Sequence, residues 1–361
     1  MTVAAPRVLY IDFSETATHA DTLFSVVRFL AGLEVRYLLD PSYRGFLPDT
    51  LEDDRVSWLP AGRGEPAALR AAWCAARAVR RFRPDVVHVN GAQGRRARSF
   101  ALLTLGSKAV FSGTHHNAAK LLGGGSQQLI NLRIRRYGVL ADFIRDRIRP
   151  ELPPKLAVET VRPIFFPRGV VQPPADRLRI AIVGSMDRSR RDYDGLIRLL
   201  SGDLRLDPRI ELLFLGDAST GSGRAIRAAI QGTKAGPLAR FKDSFVSFPE
   251  LFREVGECHA LLPLIHPETP RFNEYLETKI SGASLLALGF QKPLVLHDRL
   301  AALPDYRGVS IGYDVPELPR LLNRLAAFPD ELERVARGFN ARQDLDFARE
   351  SRRYRELLGI P

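Results

Sequence analysis

The sequence predicts an α/β protein of two domains, each a parallel sheet covered by helices. Three observations predict this. Short apolar strand-like runs alternate with helical periodicity along almost the whole chain, the pattern that builds a parallel sheet with helices on both faces. The alternation breaks at 161–177, where four prolines interrupt it, and then restarts. Finally, 361 residues, 45% of them apolar, exceed what a single core comfortably holds.

In order, 7–13 reads as a buried strand, 19–33 as a helix with apolar residues at helical spacing, and 34–40 as a second strand. An alanine-rich helix over 65–83 leads to the strand 85–91, where alternation makes His88 a core residue. A helix over 95–105 then leads to the strand 108–114. Residues 136–152 hold another strand and a short helix, and 155–166 a further strand. The segment 161–177 is the expected interdomain linker. Beyond it come a strand at 178–184, a helix at 192–202, a strand at 210–217, a helix near 222–231, strand signal at 244–249, a helix at 249–258 and a strand at 259–265. Two amphipathic helices, the second reading as one long helix over 329–359, close the chain. The expected domains are therefore 1–165 and 166–340, with 341–361 as a final helix.

Charge and cysteine usage narrow the function classes. Residues 1–165 carry 24 Lys/Arg against 15 Asp/Glu, whereas 166–361 carry 29 against 26, so most of the net +12 sits in the first half. Such a half attracts phosphates, of nucleic acid or of an anionic bilayer, unless its arginines merely solvate helix faces. Neither zinc-finger spacing nor an aromatic nucleic-acid-binding strand accompanies the charge, so no specific nucleic-acid partner is expected. The two cysteines, Cys74 and Cys258, are too far apart to frame a disulfide scaffold or a metal site, which fits a reducing cytoplasm. No signal-like or membrane-spanning run occurs, and no His/Cys/Asp cluster has metal-ligand spacing.

The segment 277–296 carries the strongest chemical signal. Lys279, Ser281, Gly282, Ala283 and Ser284 precede an apolar run, and Gly289 to Pro293 stop the helix before a buried strand. A helix N-terminus offers unpaired N–H groups and the positive end of the dipole, small residues permit close approach, and Lys279 adds a full charge. The segment fits a diphosphate ligand; it equally fits a well-capped core helix with a flanking lysine. At the end of the 178–184 strand, Gly184 is followed by Arg188, Arg190 and Arg191, which suit either an anion or a solvated first helical turn.

The order and spacing of RPDVVHVNG (83–91), SGTHHN (112–117), IAIVGSMDRSRRDYDGLI (180–197), LLFLGD (212–217), LLPLI (261–265) and SGASLLALGFQKPLV (281–295) resemble GT-B glycosyltransferases, nearest the family 4 type. The resemblance spans nearly the whole chain. It implies two Rossmann-like domains with a cleft between them, a nucleotide diphosphate sugar donor held by the second and an acceptor by the first. A final helix crossing back to brace the first domain is implied too. By the resemblance, Gly184, Arg188 and Arg191, with Lys279, Ser281, Gly282 and Ala283 opposite, hold the donor. His115 and His116 end a strand beside the transferred sugar, where each could bind it, assist the acceptor or satisfy a loop carbonyl. Glu15 and His19 are the acceptor-side candidates.

The sequence also departs from that pattern. The two glutamates that many family 4 members place before the Gly-x-Pro turn would fall near Thr278 and Leu286. The ribose partner is thus missing, with Glu277 a displaced candidate for the other and His266 and Glu268 candidate sugar contacts. SETATH (14–19) replaces the usual glycine-rich turn after the first strand. The expected activity is metal-independent, retaining sugar transfer without a cofactor to a glycan or lipid-linked acceptor, in the cytoplasm or at the inner face of an anionic membrane. The alternatives are a catalytically silent binding or assembly protein, a basic nucleic-acid-associated protein, and an epimerase using the same donor pocket.

Overall fold

The computed structural model describes residues 5–17, 19–169 and 171–360; of the readings above, Thr18 in the loop 14–19, Val170 in the linker and Pro361 at the end of 341–361 lie outside that description. The chain divides into two compact units, the first made of Met1–Phe165 and Asp344–Pro361, the second of Phe166–Gln343.

The first unit is a seven-stranded parallel sheet of β1 (Arg7–Asp12), β2 (Glu34–Leu39), β3 (Val56–Trp58), β4 (Val86–Asn90), β5 (Val110–His115), β6 (Arg136–Val139) and β7 (Ala157–Thr160), in the order β3-β2-β1-β4-β5-β6-β7. Strands covered on both faces read as continuous apolar runs rather than alternating ones, and Val8 to Asp12 and all of β4 are buried. The helix Gly64–Phe82 buries Ala67, Ala68, Ala71, Ala72, Ala75 and Ala76. This small-residue stripe costs little side-chain entropy and admits close helix packing. The helix Phe347–Leu358 covers the opposite face: Tyr354 lies 5.4 Å from Phe29 and 5.3 Å from His88, and Arg355 donates to the carbonyls of Phe29 and Ala31. Gly138 is needed beneath it, since a Cβ there would lie 2.9 Å from Leu357.

The second unit is a six-stranded parallel sheet of β8 (Leu178–Ile182), β9 (Ile210–Asp217), β10 (Ala239–Lys242), β11 (Ala260–Leu261), β12 (Leu294–His297) and β13 (Ser310–Tyr313), ordered β10-β9-β8-β11-β12-β13. Both sheets are doubly wound, with a reversal of strand order beside the first strand of each. Phe165 and Phe166 are packed into different cores, Phe165 against Phe347 at 5.1 Å and Phe166 against Phe252 at 5.2 Å. The first residues of the expected linker are therefore buried, though they form no regular element.

Four element expectations need correction. The strand expected at 244–249 lies at 239–242, where Phe241 stacks on Phe214 at 4.7 Å. Ser247 instead caps the helix Phe248–Gly256 by accepting from the Glu250 amide, the S-x-x-E capping pattern. The strand expected at 259–265 shrinks to Ala260–Leu261, because Pro263 lacks a donor and Leu264 turns left-handed at φ 54°. The long terminal helix is two, Asp330–Arg337 and Phe347–Leu358. Gly338 sits where a Cβ would meet the Gly308 carbonyl at 2.0 Å, and Asp346 opens the second helix by accepting from Arg349 N. Finally, β3 and β13 are short strands at sheet edges that the sequence reading passes over.

Candidate functional site

In doubly wound sheets ligands collect outside the carboxyl ends of the strands where strand order reverses. In the second unit this point lies between β8 and β11. Just past β8, Gly184 has φ +116°, a conformation that side chains avoid, and a Cβ there would lie 2.4 Å from Arg191 Nη2. The guanidinium of Arg191 thus occupies the space that glycine leaves. Of the three arginines in this turn, Arg188 faces outward to Asp194 at 2.8 Å and Arg190 is an exposed partner of Asp187. Only Arg191 is buried, donating from Nη1 to the Pro263 carbonyl. Its Nε has no hydrogen-bond partner, and no carboxylate pairs with it among the described residues. Burial pulls its pKa below the usual arginine value, against the pull of Tyr193 and Tyr275.

Tyr275 links this arginine to the helix that the sequence singles out. The Lys279 ammonium lies 4.8 Å from the centre of the Tyr275 ring, and Ser281 caps the helix Gly282–Phe290 by accepting from Ser284 N at 3.0 Å. Gly282 is exposed with open space at its Cβ position, while Ala283 onward is buried. The first turn therefore leaves amide N–H groups at the surface behind a residue without a side chain. Lys279 thus lies over the Tyr275 ring two residues before the helix cap, and Arg191 is within electrostatic reach of the same tyrosine, a set of groups suited to a diphosphate.

The remaining donor-side expectations fare differently. His266 is fully buried, with Nδ1 2.7 Å from Asp192 Oδ2 and Nε2 2.5 Å from the Tyr313 hydroxyl. Its ring is thus fully engaged and leaves no nitrogen for a sugar. Burial alone would raise the Asp192 pKa, but the bonds from His266 and the Gly195 amide bring it below the usual carboxylate value. This pair locks the turn carrying Arg191, since Asp192 N also donates to the carbonyl of strained Leu264. Glu268 and Glu277 are exposed, and the positions of the two family glutamates hold buried Thr278 and Leu286.

The first unit has its own site at the reversal between β1 and β4. A cavity of about 430 Å³ is lined by Glu15, His19, Gly91, Gln93, Arg96 and neighbouring residues of the loop after β1 and of the helices Gly64–Phe82 and Gly94–Leu103. Arg96 is buried, salt-bridged to Asp40 at 2.6 Å and to Glu15 at 3.3 Å. Behind the cavity, buried Asp12 accepts from the Tyr43 hydroxyl and Asn90 Nδ2, both at 2.6 Å, and from Ser14 N at 2.8 Å. Burial pushes its pKa up to about 6 despite those bonds. The other side of Asn90 meets His116 Nε2 at 3.0 Å, and His116 stacks on His19 at 3.5 Å.

His116 thus joins the wall of this cavity through His19. His115 does not: it is 1% exposed against Tyr137, and burial pushes its pKa down to about 3. His88 is a core residue, held by Ser112 and Thr114 at 3.0 Å each. The sequence reading missed Asp12, Asn90 and Tyr275. A signal existed for the first two, since each is the polar last residue of an apolar strand beside the reversal. Among the described residues no three His, Cys, Asp or Glu side chains gather as a metal set, and no helix is long and apolar enough to cross a membrane. Cys74 and Cys258 are both free.

Comparison of the sequence with family profiles and with curated proteins returns no match. Solved structures are similar over the whole chain. The Anabaena protein HepE in complex with UDP has a TM-score of 0.66 at 11% identity, covering 98% of this chain and 99% of that one. The lipopolysaccharide outer core galactosyltransferase WaaB gives 0.61 at 12% identity, covering 98% and 99%. A UDP-N-acetylglucosamine 2-epimerase gives 0.65 at 11% identity, covering 99% and 96%.

Proposed function

We propose that this chain, whose two doubly wound parallel sheets and structural likenesses give it the GT-B fold, is a glycosyltransferase that moves a sugar from a nucleotide diphosphate sugar to an acceptor bound by the first unit. The observation that carries this reading is Arg191, a buried guanidinium with no carboxylate partner among the described residues, in the same unit as Lys279 and the capped N-terminus of the helix Gly282–Phe290. A buried cation is costly unless an anion joins it, and the diphosphate of a donor supplies that anion. During transfer the leaving diphosphate gains charge, which Arg191, Lys279 and the helix N–H groups stabilise from fixed positions. The UDP bound to HepE supports a uridine nucleotide as the donor class. On the acceptor side, His116 is the candidate for holding or deprotonating a hydroxyl, and a glycan or lipid-linked acceptor is the proposed class. The likeness to an epimerase favours a second reading, conversion of the donor sugar without acceptor, which incubation with donor alone distinguishes.

Thermal unfolding with a panel of nucleoside diphosphates and nucleotide sugars tests the proposal. A selective ligand at about 100 times its Kd should stabilise the protein by about 2.7 kcal/mol. Arg191→Met and Lys279→Ala should each abolish most of that stabilisation while melting normally without ligand. A well-folded protein that no member of the panel stabilises would overturn the reading.

A further inference from the structure

One helical face of the first unit combines two properties that rarely coincide on a protein surface. Between Pro66 and Ala141 the sequence has thirteen Lys/Arg and a single acid, Asp85. The same stretch holds eight of the eleven exposed large apolar side chains among the described residues. The helices Gly64–Phe82, Gly94–Leu103 and Gly125–Asn131 connect β3, β4, β5 and β6, each crossover running the same way across the sheet. Right-handed crossovers place all three on one face, and they pack side by side.

Their exposed sides carry the apolar residues. Leu69 and Trp73 lie one turn apart on the first helix, with Arg77 over the indole at 5.5 Å. Leu102 and Leu105 lie at the end of the second, and Leu129 and Leu132 at the end of the third. Those two ends meet, because Arg133 donates to the carbonyls of Ser107 and Ala109. Arg80 and Arg81 are exposed at the end of the first helix, Lys108 and Arg135 are exposed just past the ends of the other two, and Glu65, near the start of the first helix, is engaged by Arg95 and Arg98.

We infer that this three-helix face docks on an anionic lipid bilayer, leucines and Trp73 entering the headgroup boundary and the arginines meeting lipid phosphates. Charge complementarity selects this occupant. Nucleic acid would satisfy the cations but has no use for the exposed leucines and valine, and a second copy packed symmetrically would set cations against cations. An anionic bilayer satisfies both classes of side chain at once. The inference is independent of the donor site, which lies in the second unit.

The chain has two tryptophans, so Trp58→Phe leaves Trp73 as the only indole reporter. Vesicles of phosphatidylglycerol and phosphatidylcholine at roughly 3:7 should shift Trp73 emission to the blue and co-sediment the protein, whereas pure phosphatidylcholine should do neither. In that background, Arg80→Glu with Arg135→Glu should lower partitioning more than about tenfold, and Leu102→Ser with Leu105→Ser should remove the vesicle-bound fraction. The melting temperature of each variant checks its fold, and the response to nucleotide should stay as in the parent. Absence of any shift with the anionic vesicles overturns the inference. So does a shift produced instead by single-stranded RNA, or one that follows protein concentration without lipid.

Discussion

Asn90 can orient in only one way. Asp12 is an acceptor once ionised, so the Asn90 amide nitrogen faces it and the amide oxygen faces His116 Nε2. That oxygen requires a donor, so His116 carries its proton on Nε2 and keeps a lone pair on Nδ1. Burial, with His19, His115 and His88 nearby, holds the His116 pKa well below the usual value. The ring is therefore a neutral acceptor at pH 7, the state needed to receive a proton from a hydroxyl. Asn90→Asp places a carboxylate against this ring and should raise the His116 pKa by about 1–3 units, read by NMR titration of the imidazole; an unchanged titration would mean that the contact is not made in solution. The turn at Gly184 and the capped helix start at Ser281 and Gly282 were legible residue by residue, because local chain geometry defines them. Which of Arg188 and Arg191 turns inward was not, since the choice is made by the Pro263 carbonyl, over 70 residues along the chain.

At the level of elements, the apolar runs announced most strands, whereas β3 has only three residues and β13, as long as β6, β7 and β12, places a glycine and a serine among its four and so offers no apolar run. The break in the terminal helix was likewise invisible, because Gly338 is constrained by a backbone far away in sequence, at Gly308. The helix after that break is fastened by one buried carboxylate. Glu350 is fully buried and accepts from the Arg162 amide at 2.8 Å, Arg162 Nη1 at 3.3 Å and Arg353 at 2.8 Å. Removing one partner of such a group strands the other, so Glu350→Ala should destabilise the first unit by about 3–5 kcal/mol. Urea unfolding followed at Trp58 and Trp73, both in that unit, measures this; a change below about 1 kcal/mol would reduce the network to a surface-like pair.

Across the whole molecule, buried titratable groups set the response to acid. The native state holds His88 and His115 neutral, with pKa values pushed down to about 3 by burial. Between about pH 6.5 and 3 the unfolded chain therefore binds more protons at each, and stability falls as pH falls, by roughly 1.4 kcal/mol per unit for each histidine. Asp12 and Asp21 act in the opposite sense, since burial pushes both up to about 6 and the native state takes up their protons earlier, but His116, also held well below its usual value, makes three histidines against two carboxyls. The urea midpoint should thus fall from pH 6.5 towards 4, and His88→Gln, which keeps polar atoms for Ser112 and Thr114, should flatten that slope; an identical slope would assign the acid response elsewhere. The placement of Asp344–Pro361 with Met1–Phe165 has a consequence for biosynthesis. The sheet of the first unit is synthesised before the helix that covers it: as its seven strands leave the ribosome, Phe29, His88 and Gly138 still lack that helix. The second unit is synthesised between the two, so a chain interrupted before Phe347 would carry that unit whole and the first sheet uncovered.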